Sequence, residues 1–277
     1  MKYLIVFSPL FLLFACNRYG IKAEVDASDV ASVRYEELTP QEFTSRLSAC
    51  PVAYLPLGTL EMHGAHLPLG ADGLQPHALF TQLAQTIGGI VLPMLFIGPD
   101  AHDTTDVQVE LYGMDRGNIE GAKKYQWTPQ QLVGSAYWVP DSTFNELMHA
   151  IMKQLSRAGF KIVVAHGHHP SVHYVASHAQ EFREAYHLKV LTCLANDSAE
   201  LCMQCDHAAA NETSILMHVR PELVHMENLP LSLATWPLGV GGRDPRQAAS
   251  KQHGMAIIDY QAKKMTTAIK SELTQLP

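Results

Sequence analysis

Glu61 and His63 stand two positions apart, and Asp72 follows nine residues after His63. In an extended stretch, side chains at i and i+2 share a face, so a carboxylate and an imidazole would converge on one point. Gly64, Pro68 and Gly70 lie between His63 and Asp72 and give the chain the turn residues it needs to fold back. Imidazole and carboxylate together suit zinc, manganese or iron better than calcium or magnesium. In isolation a Glu-x-His pair is an ordinary solvated loop. Here two further groups follow it: His166, His168 and His169, and then His207 with Glu212.

The surrounding sequence predicts how these groups are positioned. Residues 52–57 are a continuous apolar run and read as a strand, 58–73 as a long loop, 74–87 as a helix and 90–94 as a second strand. Phe144, Leu147, Met148, Ile151, Met152 and Leu155 recur at helical spacing behind Asp141, the expected N-cap, and Gly159 closes that helix. The apolar run 160–165 is the next strand, 171–186 a helix and 189–194 another strand. This alternation predicts a single α/β domain with a mostly parallel sheet covered by helices. Both histidine-bearing loops then fall beyond the carboxyl ends of strands, where open α/β sheets bind ligands. Residues 100–138 read as a long excursion that could wall a substrate pocket.

The run Gly58-Thr59-Leu60-Glu61-Met62-His63-Gly64-Ala65-His66-Leu67-Pro68-Leu69-Gly70-Ala71-Asp72 resembles the signature of the creatininase (creatinine amidohydrolase) family, usually G-S-x-E-x-H-G-x-H-L-P-x-x-T-D. His166-Gly167-His168-His169-Pro170-Ser171 is similar at its centre to the family's N-G-H-G-G-N block. His207-Ala208-Ala209-Ala210-Asn211-Glu212-Thr213-Ser214 resembles H-A-G-x-x-E-T-S, and the likeness extends over roughly residues 35–275. It implies a layered α/β/α fold, a homo-oligomer, often a hexamer, and two divalent cations per chain, zinc foremost with manganese or iron as alternatives.

Residue by residue, the resemblance implies that Glu61 and His168 hold one cation, His63 and Glu212 the other, and Asp72 bridges them. It makes His207 the proton shuttle and places Glu212 among the catalytic groups as well. Two such cations hold a water as hydroxide near neutral pH, and that hydroxide would attack an amide carbonyl. The implied substrate is a small, non-peptide, cyclic amide. A peptidase of small modified peptides, or a binding protein that keeps the fold without turnover, are the alternatives. The departures fall around the pocket: Pro170 stands where some members carry an acidic ligand, leaving Glu212 or His169 to supply the second site. His169 and Trp138 are the expected pocket residues.

Composition excludes other classes. The chain of 277 residues carries a formal net charge of −7 with no basic run, so it lacks the electrostatic footprint of a nucleic-acid binder. Met1-Lys2 followed by an apolar run to Ala15 reads as a secretion signal over residues 1–15, too short to span a bilayer comfortably. Leu13-Phe14-Ala15-Cys16 resembles a bacterial lipobox, which makes Cys16 the lipid anchor, residues 16–34 a tether and 35–277 the domain. The expected location is the periplasm or cell envelope, with membrane contact only through that lipid. In an exported chain Cys50, Cys193, Cys202 and Cys205 allow three disulfide pairings, or buried thiols. His102, Asp103 and Asp106 read as a polar loop. Ser142 and Ser214 lack a nucleophile-elbow context.

Overall fold

The computed structural model describes residues 32–103, 110–117, 127–193 and 200–276. The expected signal, Cys16, most of the tether, and Asp106 lie outside the described residues. Strands β1 (Val52–Leu57), β2 (Ile90–Val91), β5 (Ile162–Gly167) and β6 (Lys189–Thr192) form one parallel sheet in the order β2-β1-β5-β6, while β3 (His102–Asp103) and β4 (Leu111–Tyr112) form a short antiparallel ribbon. Every residue of β1 and β5 is buried. A parallel sheet covered on both faces demands such continuous apolar runs. Pro56, which has no N–H to donate, lies beyond the two-residue reach of β2 along that edge.

Helices fill both layers. On one face α2 (Ala71–Ile87), α6 (Ala210–Val219) and α8 (Lys251–Leu273) pack Leu79, Phe80, Leu83, Ile215 and Ile257 against Tyr54, Ile162 and Val164. On the other, α3 (Asp141–Ala158), α4 (His169–Ser177) and α5 (Ala179–Tyr186) pack Phe144, Met148, Val172 and Phe182 against Leu55, Val163 and Ala165. Odd and even strand residues thus feed different cores. The sequence had led us to expect this layered α/β/α arrangement, and it is the one observed. Two helices complete the domain: α1 (Pro40–Ala49), opened by a Thr39–Glu42 capping box, and the short α7 (Pro245–Ala248). None of the helices among the described residues is long and apolar enough to cross a membrane.

The chain passes from β1 through α2 to β2 on one side, and β5 then adds on the other side of β1. The strand order therefore reverses between β1 and β5, and their carboxyl ends open a crevice at that switch point. The two strands approach so closely there that a Cβ on Gly167 would overlap the Leu57 backbone carbonyl. Gly167 also has φ +141°, a conformation side-chain-bearing residues avoid. The next amide, His168 N–H, donates to Leu57 O at 2.8 Å.

Several boundaries differ from expectation. α2 starts at Ala71 rather than 74, so Asp72 lies in a helical first turn, where an acid favours the dipole, and not in a loop. β2 ends at Val91 because Pro93 interrupts it; Leu95 returns only as an isolated bridge to Leu57. The expected helix 171–186 begins at His169 and breaks at His178 into α4 and α5. The strand expected at 160–165 runs two residues later, and β6 ends at Thr192. Pro140, not Asp141, is the N-cap of α3. Cys202 and Cys205 are disulfide-bonded, and Cys50 and Cys193 are buried free thiols.

Candidate metal centre

Five residues from four places in the chain meet at the switch point. Glu61 and His63 come from the segment after β1, Asp72 from the first turn of α2, His168 from the residue joining β5 to α4, and Glu212 from the first turn of α6. All five side chains are buried. Glu61 and His63 group with His207, and the five residues form two overlapping triads, Glu61/Asp72/His168 and His63/Asp72/Glu212; the ligand atoms of each group lie within 4.8 Å of one another. Asp72 is common to both. Its Oδ2 lies 2.9 Å from His168 Nδ1 and its Oδ1 3.4 Å from His63 Nε2.

A hydrogen bond to the far side of the His63 ring decides which of its nitrogens is free. His63 Nδ1 lies 3.1 Å from the Glu61 carbonyl, which can only accept, so Nδ1 carries the hydrogen and Nε2 faces Asp72 and Glu212 with its lone pair. His168 turns Nδ1 to the cluster, hydrogen-bonded to Asp72 Oδ2 at 2.9 Å, and its Nε2 comes within 3.2 Å of Asp100 Oδ2. Outer carboxylates and carbonyls orient metal-binding imidazoles in this way. Glu212 is braced by the Ala208 N–H at 2.7 Å and by Gln75 Nε2 at 3.3 Å, and Asp72 by Gln204 Nε2 at 3.2 Å.

The electrostatics identify what the site needs. Burial pushes Glu61 and Glu212 up to about 7. Burial opposes ionisation of Asp72 too, but the adjacent His63 and His168 hold it well below the usual range. Burial likewise disfavours a charged His63, yet Asp72 and Glu212 outweigh it and raise the ring to about 10. Without a cation, the carboxylates therefore hold protons on rings whose Nε2 or Nδ1 would otherwise be ligand atoms. His63 Nε2 is buried and has no hydrogen-bond partner. Three carboxylates and two imidazoles with aligned lone pairs fit two divalent cations, and nitrogen with oxygen donors fits zinc or manganese.

His207 lies against this cluster. Its ring stacks on His63 at 4.2 Å, and Nδ1 is 3.9 Å from Glu61 Oε1. Nε2 lies 2.9 Å from Met62 O, so Nε2 holds the hydrogen and Nδ1 the lone pair. Burial, and then the positive charge on His63, lower it to about 4, which keeps it neutral. Reciprocal backbone bonds with Gly241, 2.8 Å each way, fix its position. A cavity of about 250 Å³ opens over the cluster, with Asp206, His207 and the exposed His169 in its wall.

Trp138 requires a correction: it does not line that cavity but packs behind His168, ring to ring at 5.6 Å, in a row continued by Tyr112 and His102. Glu212, rather than His169, supplies the second carboxylate-imidazole set. Asp100, Gln204 and Asp206 were missed by sequence reasoning. Asp206, raised to about 6 by burial, accepts the N–H groups of Asn211 and Glu212 at the start of α6. Its place beside His207 was the available signal. Asp100 follows Gly98, which bridges to Trp138, in the irregular chain after β2.

A parallel α/β sheet with a shared-carboxylate, imidazole-rich cluster at its switch point defines a metal-centre protein of the layered α/β class. The creatininase profile, described as creatinine amidohydrolase, matches residues 36–113 and 124–269, and the chain belongs to that family. It is 24% identical over 283 residues to the creatinine amidohydrolase of Pseudomonas putida, covering 87% of this chain and 97% of that one. A crystal structure of creatinine amidohydrolase superposes with a TM-score of 0.65 at 24% identity over 87% of this chain and 98% of its own. A mutant creatininase described as the Zn-Zn type gives the same TM-score at 22% identity, with coverage of 87% and 98%. A manganese creatininase gives 0.65 at 23%, with coverage of 87% and 99%.

Proposed function

We propose that the protein is a metal-dependent amidohydrolase that cleaves the C–N bond of a small, non-peptide, cyclic amide. The observation that carries this reading is the pair of ligand triads sharing Asp72, with the free Nδ1 of His207 directed at their edge. Creatininase relatives solved in zinc and manganese forms, and one complexed with creatine, support both the metals and the size of the substrate. Divalent cations held by these residues would supply Lewis acidity, lowering the pKa of a water and polarising the amide carbonyl.

The chain's own residues do the rest. Glu61, His63, Asp72, His168 and Glu212 fix where the cations sit. The Glu61 carbonyl fixes the tautomer of His63, and Asp100 stands against the far nitrogen of His168. His207 accepts a proton at Nδ1 from the attacking water and returns it to the leaving nitrogen, while its Nε2–H stays anchored on Met62 O. Burial of the ligands excludes bulk water. Because Glu212 completes the second triad, Pro170 does not deprive the site of a carboxylate, which favours turnover over a binding role.

The reading extends to the whole molecule. The protein is exported, carries lipid on Cys16, sits in the cell envelope and assembles as a homo-oligomer. Zinc-reconstituted protein should bind about two metals per chain and open at least one member of a panel of lactams, hydantoins and creatinine. Release of short-peptide fragments instead, or two bound metals with no hydrolysis across the panel, would refute it. Radiolabelled palmitate incorporation that persists in Cys16→Ser would refute the anchor.

A further inference from the structure

One wall of the cavity is not acidic. Five carboxylates, those of Glu61, Asp72, Asp100, Asp206 and Glu212, line it, and Arg116 is the one lysine or arginine among its described lining residues. Arg116 is half-buried, and its Nε donates to Gly113 O at 3.3 Å. Among the described residues neither terminal guanidinium nitrogen has a hydrogen-bond or carboxylate partner. An arginine beside five carboxylates that pairs with none of them keeps its planar two-nitrogen edge available.

The segment that presents it is held firmly. Residues 113–116 form a single 3-10 turn in which the buried Asp115 accepts the N–H groups of Leu132 at 2.8 Å and Tyr112 at 3.3 Å. Trp127 Nε1 donates to Met114 O, and Gln130 N–H to Asp115 O. The turn also lies flat on the metal site. A Cβ on Gly113 would collide with Asp100 Oδ2, the atom that faces His168 Nε2. Arg116 is thus registered to the cluster through Gly113, Asp100 and His168.

The geometry points to Arg116 as a specificity-determining residue that pairs with a carboxylate on the substrate, so that the preferred amide is anionic. The inference rests on the hydrolase reading above for the identity of the site, and it names the substrate class: a small amide or lactam bearing one carboxylate. Two cations and Arg116 together neutralise the five carboxylates, so an anionic substrate meets no net repulsion. Its carboxylate would take the bidentate bonds the guanidinium lacks.

The test measures binding of 5-oxoproline and of its uncharged counterpart 2-pyrrolidinone to zinc-loaded protein by calorimetry, with turnover followed in parallel. Wild-type protein should bind 5-oxoproline about 10- to 100-fold more tightly, as a charge-assisted bidentate pair warrants. Arg116→Gln should reduce that ratio to below about threefold, and Arg116→Lys should keep only part of it, with zinc content and thermal midpoint unchanged in both. A ratio near one in the wild type, or a ratio unchanged in Arg116→Gln because the carboxylate sits on zinc, overturns the assignment. A ratio that collapses in Arg116→Gln while no amide is cleaved supports Arg116 and overturns the hydrolase reading alone.

Discussion

Replacing Asp72 with asparagine keeps the shape of the side chain and removes the one charge that both ligand triads share. Its two oxygens face His168 Nδ1 and His63 Nε2 at 2.9 and 3.4 Å, so no other substitution touches both sets at once. With free zinc at 100 times its dissociation constant, each site stabilises the fold by about 2.7 kcal/mol. A domain of this size shifts its midpoint by about 2–4 °C per kcal/mol, so zinc should raise the wild-type Tm by about 11–22 °C. Asp72→Asn should reduce that shift to under about 3 °C and bring bound metal close to zero. Glu212→Gln and His168→Ala each damage one triad and should retain about half of the shift. Scanning calorimetry of chelator-stripped protein with and without zinc, together with elemental analysis, reads all four proteins. A full zinc shift in Asp72→Asn, or complete loss in Glu212→Gln, would show that the two triads do not share this residue.

Other consequences follow from the same geometry. His207→Gln retains a donor for Met62 O but loses the Nδ1 acceptor, so kcat should fall by about 10²–10⁴ while zinc content holds. In the metal-free protein His63 keeps its proton up to about 10, and a ligating nitrogen must shed it. Apparent zinc affinity should therefore rise about 100-fold between pH 6.5 and 8.5 from this group alone, measurable by competition with a chelator. The stability of the metal-free fold has the opposite sign: the contribution of His63 is fully present below its unfolded value and is lost as pH rises toward about 10. Gly167→Ala forces a side chain into positive φ and against Leu57 O, costing about 2–5 kcal/mol in urea unfolding. An unchanged urea midpoint would show that β1 and β5 tolerate separation.

The sequence made the layered fold legible because β1 and β5 are unbroken apolar runs and α3 carries its apolar residues on one stripe. Glu61, His63 and Asp72 were legible together because they lie in one short segment. Asp72 was nonetheless placed in a loop, since Gly-Ala-Asp-Gly resembles a turn locally and only packing on β1 extends the helix through it. Asp100, Gln204 and Arg116 left no such trace. Asp100 and Gln204 come from irregular chain and Arg116 from a single 3-10 turn, none with a hydrophobic period, and Gln204 adopts φ +58°, which no composition rule flags. Trp138 was expected in the pocket wall and packs instead behind His168, a distinction that depends on tertiary contact alone.

Glu212 reaches the centre from α6, whereas Pro170 lies in the first turn of α4, directly after β5. The cluster residues lie at helix starts and strand ends, and residues 169–170 with the turn 113–116 complete the cavity around them. Mutational drift can remodel those two stretches without dislodging a ligand. On the hydrolase reading proposed above, the scaffold can explore new amides by single substitutions there, and laboratory evolution for a chosen lactam should concentrate its diversity in those stretches.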